Sequence, residues 1–118
     1  MTEETEPQVQ SSEDREGLDR PWYLYVLDCA DGTTYTGITT DPRRRLEEHN
    51  GGRGARYTAQ RGRRPVRLLG VWCFPDQGSA TRAEVRFKQR RAARKRKLAG
   101  TGVRFEGAPF CAEFLWEE

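Results

Sequence analysis

The sequence predicts an α+β fold, a small three-stranded antiparallel sheet flanked by helices in the order β-β-α-β-α. Three observations lead there. Residues 22–29 form an apolar, aromatic run that meets Asp31-Gly32, a strong short-range hairpin signal, and then residues 33–39, rich in β-branched and aromatic side chains. Asp41-Pro42 pairs a good helix cap with a residue suited to the first helical position. A near-continuous apolar run within residues 65–74 is followed by a second helical stretch.

In chain order, residues 1–20 carry seven acidic and two basic side chains and few large hydrophobic ones, and are expected to be a disordered acidic tail. Such a tail is either a weak decoy for a basic surface or a solubilising leader. Pro21 marks entry into the first strand, where proline is tolerated. Tyr23 and Tyr25 are two apart and share one strand face, and a short turn makes Tyr25 and Tyr35 roughly cross-strand neighbours. Gly37 allows close approach to the second strand or marks a bulge. The first helix is expected from Pro42 to about His49, ending before Asn50-Gly51-Gly52, and it stacks Arg45 and His49, four apart, on one face.

Residues 50–65 read as a glycine- and arginine-rich loop with one short helical turn near residues 55–60. Arginines around a single aromatic, Tyr57, suit a surface that tracks phosphates, and equally a solvated basic loop. Residues 65–74 are expected to form the third strand, apolar enough to be central in the sheet. After the turn at residues 75–78, Ser79 is expected to cap one helix running from Ala80 to about Leu98. Glu84 is the single acid between Ser79 and Gly100 among nine lysines and arginines, and it shares a face with Lys88. Residues 90–97 are basic on every face. Residues 99–118 form an aromatic extension, too apolar to leave bare, expected to pack on the domain or at an interface.

The 118 residues suit one domain over residues 21–98 with that tail and extension. The net charge of +3 divides into −5 for residues 1–20 and +8 for residues 21–118, so the folded part is drawn to polyanions, nucleic acid first. Cys29, Cys73 and Cys111 are an odd, scattered set that supports neither a disulfide framework nor a four-thiolate zinc site. No apolar run reaches the ~18 residues that would span a bilayer, and the acidic start is the reverse of a secretion signal, so a cytoplasmic protein without membrane contact is expected.

The stretch from Tyr23-Leu24-Tyr25 through Tyr35-Thr36-Gly37 to Arg45 and His49 resembles the GIY-YIG nuclease superfamily, more narrowly its small single-domain branch. The resemblance continues through Gly54-Ala55-Arg56-Tyr57-Thr58 and the strand near Val71 to the helix holding Glu84 and Lys88, about residues 21–90. Tyr23 and Leu24 stand where the first half-motif has glycine and isoleucine, and Ile38 stands where a relative of this fold carries a lysine. The resemblance implies a divalent-metal-dependent endonuclease that hydrolyses phosphodiester bonds in DNA, selecting structure rather than sequence, with a place in DNA repair. By that resemblance the catalytic residues are Tyr25, Tyr35, Arg45, His49 and Glu84, with Glu84 holding a single Mg²⁺ or Mn²⁺. Tyr23, Gly37, Arg56, Tyr57, Lys88, Arg91 and Lys95 are the expected substrate contacts, DNA being favoured over RNA. The alternative is a nucleic-acid-binding protein of the same fold that cleaves weakly or not at all. The aromatic C-terminal segment is a candidate surface for self-association.

Overall fold

The computed structural model describes residues 20–115. The expected acidic tail, apart from Arg20, and Trp116 of the aromatic extension lie outside the described residues. Trp22–Asp28 (β1) and Thr34–Thr39 (β2) pair antiparallel as a hairpin, Asp28 opposite Thr34. Its turn forms where Asp31-Gly32 predicts it. The Asp31 carboxylate accepts from the Thr33 amide at 3.1 Å and the Thr33 hydroxyl at 2.6 Å, an Asx-type closure that the short acidic side chain favours.

Arg67–Phe74 (β3) pairs antiparallel with the other side of β1, so the order is β2-β1-β3. The expectation that β3 is central is therefore corrected: β1 is central and β3 lies at the edge. The apolar run in β3 has another cause, since it is covered on both faces and along its outer edge. There residues 109–111 act as a strap: the Cys73 amide donates to the Pro109 carbonyl (3.2 Å) and the Cys111 amide to the Val71 carbonyl (2.8 Å).

Pro42–Asn50 (α1) begins as the sequence predicts, with the Asp41 carboxylate accepting from the Arg44 amide at 3.1 Å. Arg56–Ala59 (α2) is a single turn in the basic loop. Gln77–Lys88 (α3) starts earlier than expected because Asp76, not Ser79, is the cap; its carboxylate accepts from the Ser79 amide at 2.8 Å. The single helix expected to reach Leu98 is two helices, α3 and Ala92–Thr101 (α4). The break is physical: α3 closes on a tightened turn, the Arg90 amide donating to the Phe87 carbonyl at 3.0 Å, and Arg91 is extended. The chain thereby turns back so that α4 packs on β3 through buried Ala99.

Both faces of the sheet are covered. On one, Leu24, Val26, Ile38, Trp72 and Phe74 meet Ala80, Ala83 and Phe87 of α3, together with Ala99 and Phe105. Trp72 is the hub, with the rings of Phe87, Phe105 and Phe110 at 5.5, 5.8 and 5.4 Å and its indole N–H donating to the Val103 carbonyl at 2.8 Å. Burying each such side chain stabilises the fold by about 1.5–3 kcal/mol. On the other face, Tyr25, Leu27, Tyr35 and Val71 pack with Leu46 of α1, Val66, Cys111 and Phe114, the last in the 3₁₀ turn Ala112–Leu115. Asp28 ties the end of β1 to its neighbours, accepting from Arg96 of α4 at 2.7 Å and Arg67 of β3 at 3.0 Å. The Arg96 hydrogen bond first, then Arg67, holds its carboxyl below the usual range. Cys29 and Cys111 are buried thiols, and Cys73 is half-exposed beside the strap. Among the described residues no helix is long and apolar enough to cross a membrane.

Candidate active site

The second face of the sheet gathers the sequence-predicted phenols. Tyr25 lies opposite Gly37, and Tyr35 opposite Leu27, so the two tyrosines are diagonal rather than direct cross-strand neighbours, with ring centroids 6.3 Å apart. Gly37 makes this possible. A Cβ at that position would stand 2.8 Å from the Tyr25 oxygen and 3.0 Å from its Cζ, so the Tyr25 ring fills the space that a side chain would need. The close approach expected at Gly37 is that of Tyr25.

From α1, His49 reaches into the same cluster. Its Nε2 is 2.8 Å from the Tyr25 hydroxyl and its Nδ1 is 2.7 Å from the Thr58 hydroxyl of α2. The imidazole also packs on Tyr35 at 5.0 Å between centroids. Tyr25 and His49 are 1% and 0% exposed. Burial first, and the Arg45 charge second, push the His49 ring down to about 3, so it is neutral at physiological pH. Gly54 lets the loop close over the ring: a Cβ there would lie 2.6 Å from the His49 Cγ.

Arg45 is buried, contrary to the common solvated helix arginine. Its guanidinium donates to Glu48 at 2.8 Å and to the Gly54 carbonyl at 3.0 Å, tying α1 to the loop that covers His49. Tyr57 is half-buried between Tyr35 (5.8 Å) and the Arg63 guanidinium, which lies 3.9 Å from its ring centre. Tyr23 stacks edge-on against Phe114 at 5.2 Å, on the same face but away from His49. Arg56 is exposed on α2.

Glu84 stands on α3, which packs against β2 from the opposite face of the sheet. The structure thus joins Tyr25, Tyr35 and His49 directly and places Glu84 on a separate element. Its carboxylate is buried and pairs with Lys88 at 3.0 Å. Lys95 of α4 is half-buried, its ammonium pushed below the usual range by burial and by the Lys88 charge, and Arg91 is exposed at the start of α4. A single buried carboxylate amid cations fits one Mg²⁺-type ion whose remaining positions are water and phosphate. Among the described residues no three His, Cys, Asp or Glu side chains gather into a metal-binding group. Asp28 is held by arginines, Asp31 by Thr33 and Arg63, and Asp41 by its helix. Ile38 is fully buried in the opposite face, so no cation takes the place of a lysine there.

Residue-by-residue reasoning missed the contributions of Gly54, Thr58 and Arg63. The Gly54-Ala55-Arg56-Tyr57-Thr58 stretch was the available signal, a small residue and a hydroxyl on either side of the loop's one aromatic.

Comparison with known proteins shows the family of the chain. Residues 21–97 match the GIY-YIG catalytic domain family. A UPF0213 protein of Cupriavidus pinatubonensis is 47% identical over 78 residues, covering 66% of this chain and 84% of that protein. A UPF0213 protein of Halalkalibacterium halodurans is 43% identical over 88 residues, covering 75% and 87%. The solution structure of the protein EF2693 from E. faecalis is 44% identical, covers 70% of this chain and 85% of that one, and has a TM-score of 0.49. With the family matched over residues 21–97 and these relatives 43–47% identical along most of their own lengths, the protein belongs to the GIY-YIG family, alongside the UPF0213 proteins.

Proposed function

We propose that the chain is a divalent-metal-dependent endonuclease that hydrolyses phosphodiester bonds in DNA and selects by structure rather than sequence. The observation that carries this reading is the buried cluster in which the Tyr25 hydroxyl sits 2.8 Å from a neutral imidazole, in a chain whose residues 21–118 carry a net charge of +8. Charge draws the polyanion, and among the described residues no helix-turn-helix or zinc finger stands beside the fold.

Tyr25 relays the proton of the attacking water, accepting it on its oxygen as its own hydroxyl hydrogen passes to the His49 Nε2, and Tyr35 orients that water. A phenol is a weak base in bulk water, with an ordinary pKa of about 10, so its neighbours must assist it. His49 at its low value holds the relayed proton only in passing and gives it up to solvent or the leaving oxygen. Arg45 shapes the loop over His49 and contributes positive potential at the developing phosphate charge. Glu84 would hold Mg²⁺ or Mn²⁺, which when bound neutralises charge on the leaving oxygen. Lys88, Lys95, Arg91, Arg56 and Tyr57 supply phosphate and stacking contacts. A cytoplasmic location and a role in DNA repair accord with such a substrate.

A second reading is a nucleic-acid-binding protein that cleaves slowly or not at all. It draws on the depth of the cluster, since Tyr25, His49 and Arg45 are all at or below 4% exposure. One experiment separates the two: cleavage of labelled duplex, single-stranded, flapped and branched DNA with Mg²⁺ or Mn²⁺, beside Glu84→Ala and Tyr25→Phe. Loss of cutting in both variants with binding retained is the expected result. No cutting of any substrate, or equal cutting by all three proteins, removes the enzyme reading.

A further inference from the structure

We propose that Thr58 is a positioning residue of this site, fixing the hydrogen of the His49 ring on Nδ1 so that Nε2 presents a lone pair to Tyr25. The inference rests on the nuclease reading of Tyr25 and adds to it the direction of the hydrogen bonds.

A threonine hydroxyl carries one hydrogen. That of Thr58 has two acceptors in reach, the Ala55 carbonyl at 3.2 Å and the His49 Nδ1 at 2.7 Å. Thr58 lies in a helical turn, where a hydroxyl characteristically donates back to the carbonyl three or four residues earlier, and its β-branched side chain has few rotamers in which to do otherwise. With its hydrogen on Ala55, the Thr58 oxygen can only accept from the ring, so Nδ1 carries N–H. A neutral imidazole has one N–H, so Nε2 is bare and the Tyr25 hydroxyl at 2.8 Å donates to it. Thr58 and His49 are both fully buried, so water is not at hand to replace either partner.

The consequence lies at the phenol. The chain of bonds runs from Tyr25 to His49 to Thr58 to the Ala55 carbonyl, all in one direction. The Tyr25 hydrogen is turned inward, so on its other sides the phenol oxygen presents acceptor lone pairs and not a hydrogen. The opposite tautomer would aim Nε2–H at the Tyr25 oxygen, occupy one of those lone pairs and turn the phenol hydrogen outward.

His49 is the single histidine of the chain, so ¹⁵N-histidine labelling of the full-length protein reads this ring alone. The expected spectrum shows the directly bonded hydrogen on Nδ1. In Thr58→Val the hydrogen shifts wholly or partly to Nε2, and kcat for Mg²⁺-dependent DNA cleavage falls about ten- to a hundred-fold with KM unchanged, the range typical of lost orienting partners. Thr58→Ser restores both. A hydrogen on Nε2 in the wild type, an unchanged tautomer in folded Thr58→Val, or a serine variant that behaves like valine overturns the proposal. Should Thr58→Val not fold, the wild-type and Thr58→Ser spectra decide: Nδ1–H in both supports the assignment and Nε2–H in either refutes it. A wild type that cuts nothing removes the nuclease reading, while the ring spectrum still decides what Thr58 does.

Discussion

Because His49 is the one histidine and is buried neutral, the pH dependence of stability can be attributed to a single ring. In the unfolded chain it titrates near its ordinary 6.5, whereas in the folded protein burial and Arg45 hold it at about 3. As pH falls below 6.5 the unfolded chain takes up a proton that the folded chain refuses. Folding stability is therefore highest above that value, declines by up to about 1.4 kcal/mol per pH unit, and stops declining near the folded value. Between about pH 7 and pH 5 the loss is roughly 2 kcal/mol. Once the folded value lies well below 5, that figure depends on the unfolded value alone. The carboxylates Asp28, Asp31 and Asp76 are all held below their usual range by hydrogen bonds, so they stay ionised in both states through this window. Urea unfolding followed by tryptophan fluorescence reads the effect as a midpoint about 1 M lower at the acid end. His49→Gln, whatever its own stability, should lose the slope. A wild-type midpoint that is flat across the window, or a glutamine variant that declines in parallel, refutes the assignment of a buried neutral imidazole.

Gly37→Ala should cost about 1–3 kcal/mol in urea unfolding, because its methyl stands 2.8 Å from an oxygen whose ring is boxed in by Tyr35 and His49, and the Tyr25–His49 bond should lengthen or break. Arg45→Lys keeps the charge but cannot reach Glu48 and the Gly54 carbonyl together. It should destabilise by about 1–3 kcal/mol in the same assay and speed hydrogen exchange of the amides near Gly54. Asp28→Asn removes two ion pairs, one of them to an exposed arginine. It should cost about 1 kcal/mol at low salt near neutral pH, and progressively less as pH falls from the ordinary carboxylate pKa through the lower folded value, below which the folded wild type also loses the charge.

Local chemistry made the first half of the fold legible. Asp31-Gly32 closes the hairpin, Asp41 caps the helix at Pro42, and the two-residue spacing of Tyr23 and Tyr25 puts them on one face, each decided by neighbours in sequence. The break between α3 and α4 was not legible, because residues 86–97 contain neither Gly nor Pro and are charged around the whole helix. It follows from where Ala99 must land on β3, which is a tertiary demand. The same holds for β3 itself, whose apolar run fits a central strand but reflects cover on its faces and edge. In the site, the helical spacing of Arg45 and His49 was visible, but not that both are buried. That depends on a loop whose Gly54 carbonyl and Thr58 hydroxyl fold back across the helix. The placement of Glu84 on α3, far along the chain from the tyrosines, likewise needs the path of the whole chain.

The strap at residues 109–111 bears on edge-to-edge pairing between copies of the protein. A sheet edge with free amides and carbonyls is a template for another chain's strand. Here the outer rung of β3 is taken by two backbone bonds from the same chain, and the strap contains Pro109, which has no amide hydrogen to offer a further strand. Shortening the chain before Pro109 would uncover both that edge and the Phe110 side of Trp72. Such a fragment should be lost to aggregation rather than recovered in soluble form, so an expressed protein needs to keep this segment and carry any tag beyond it.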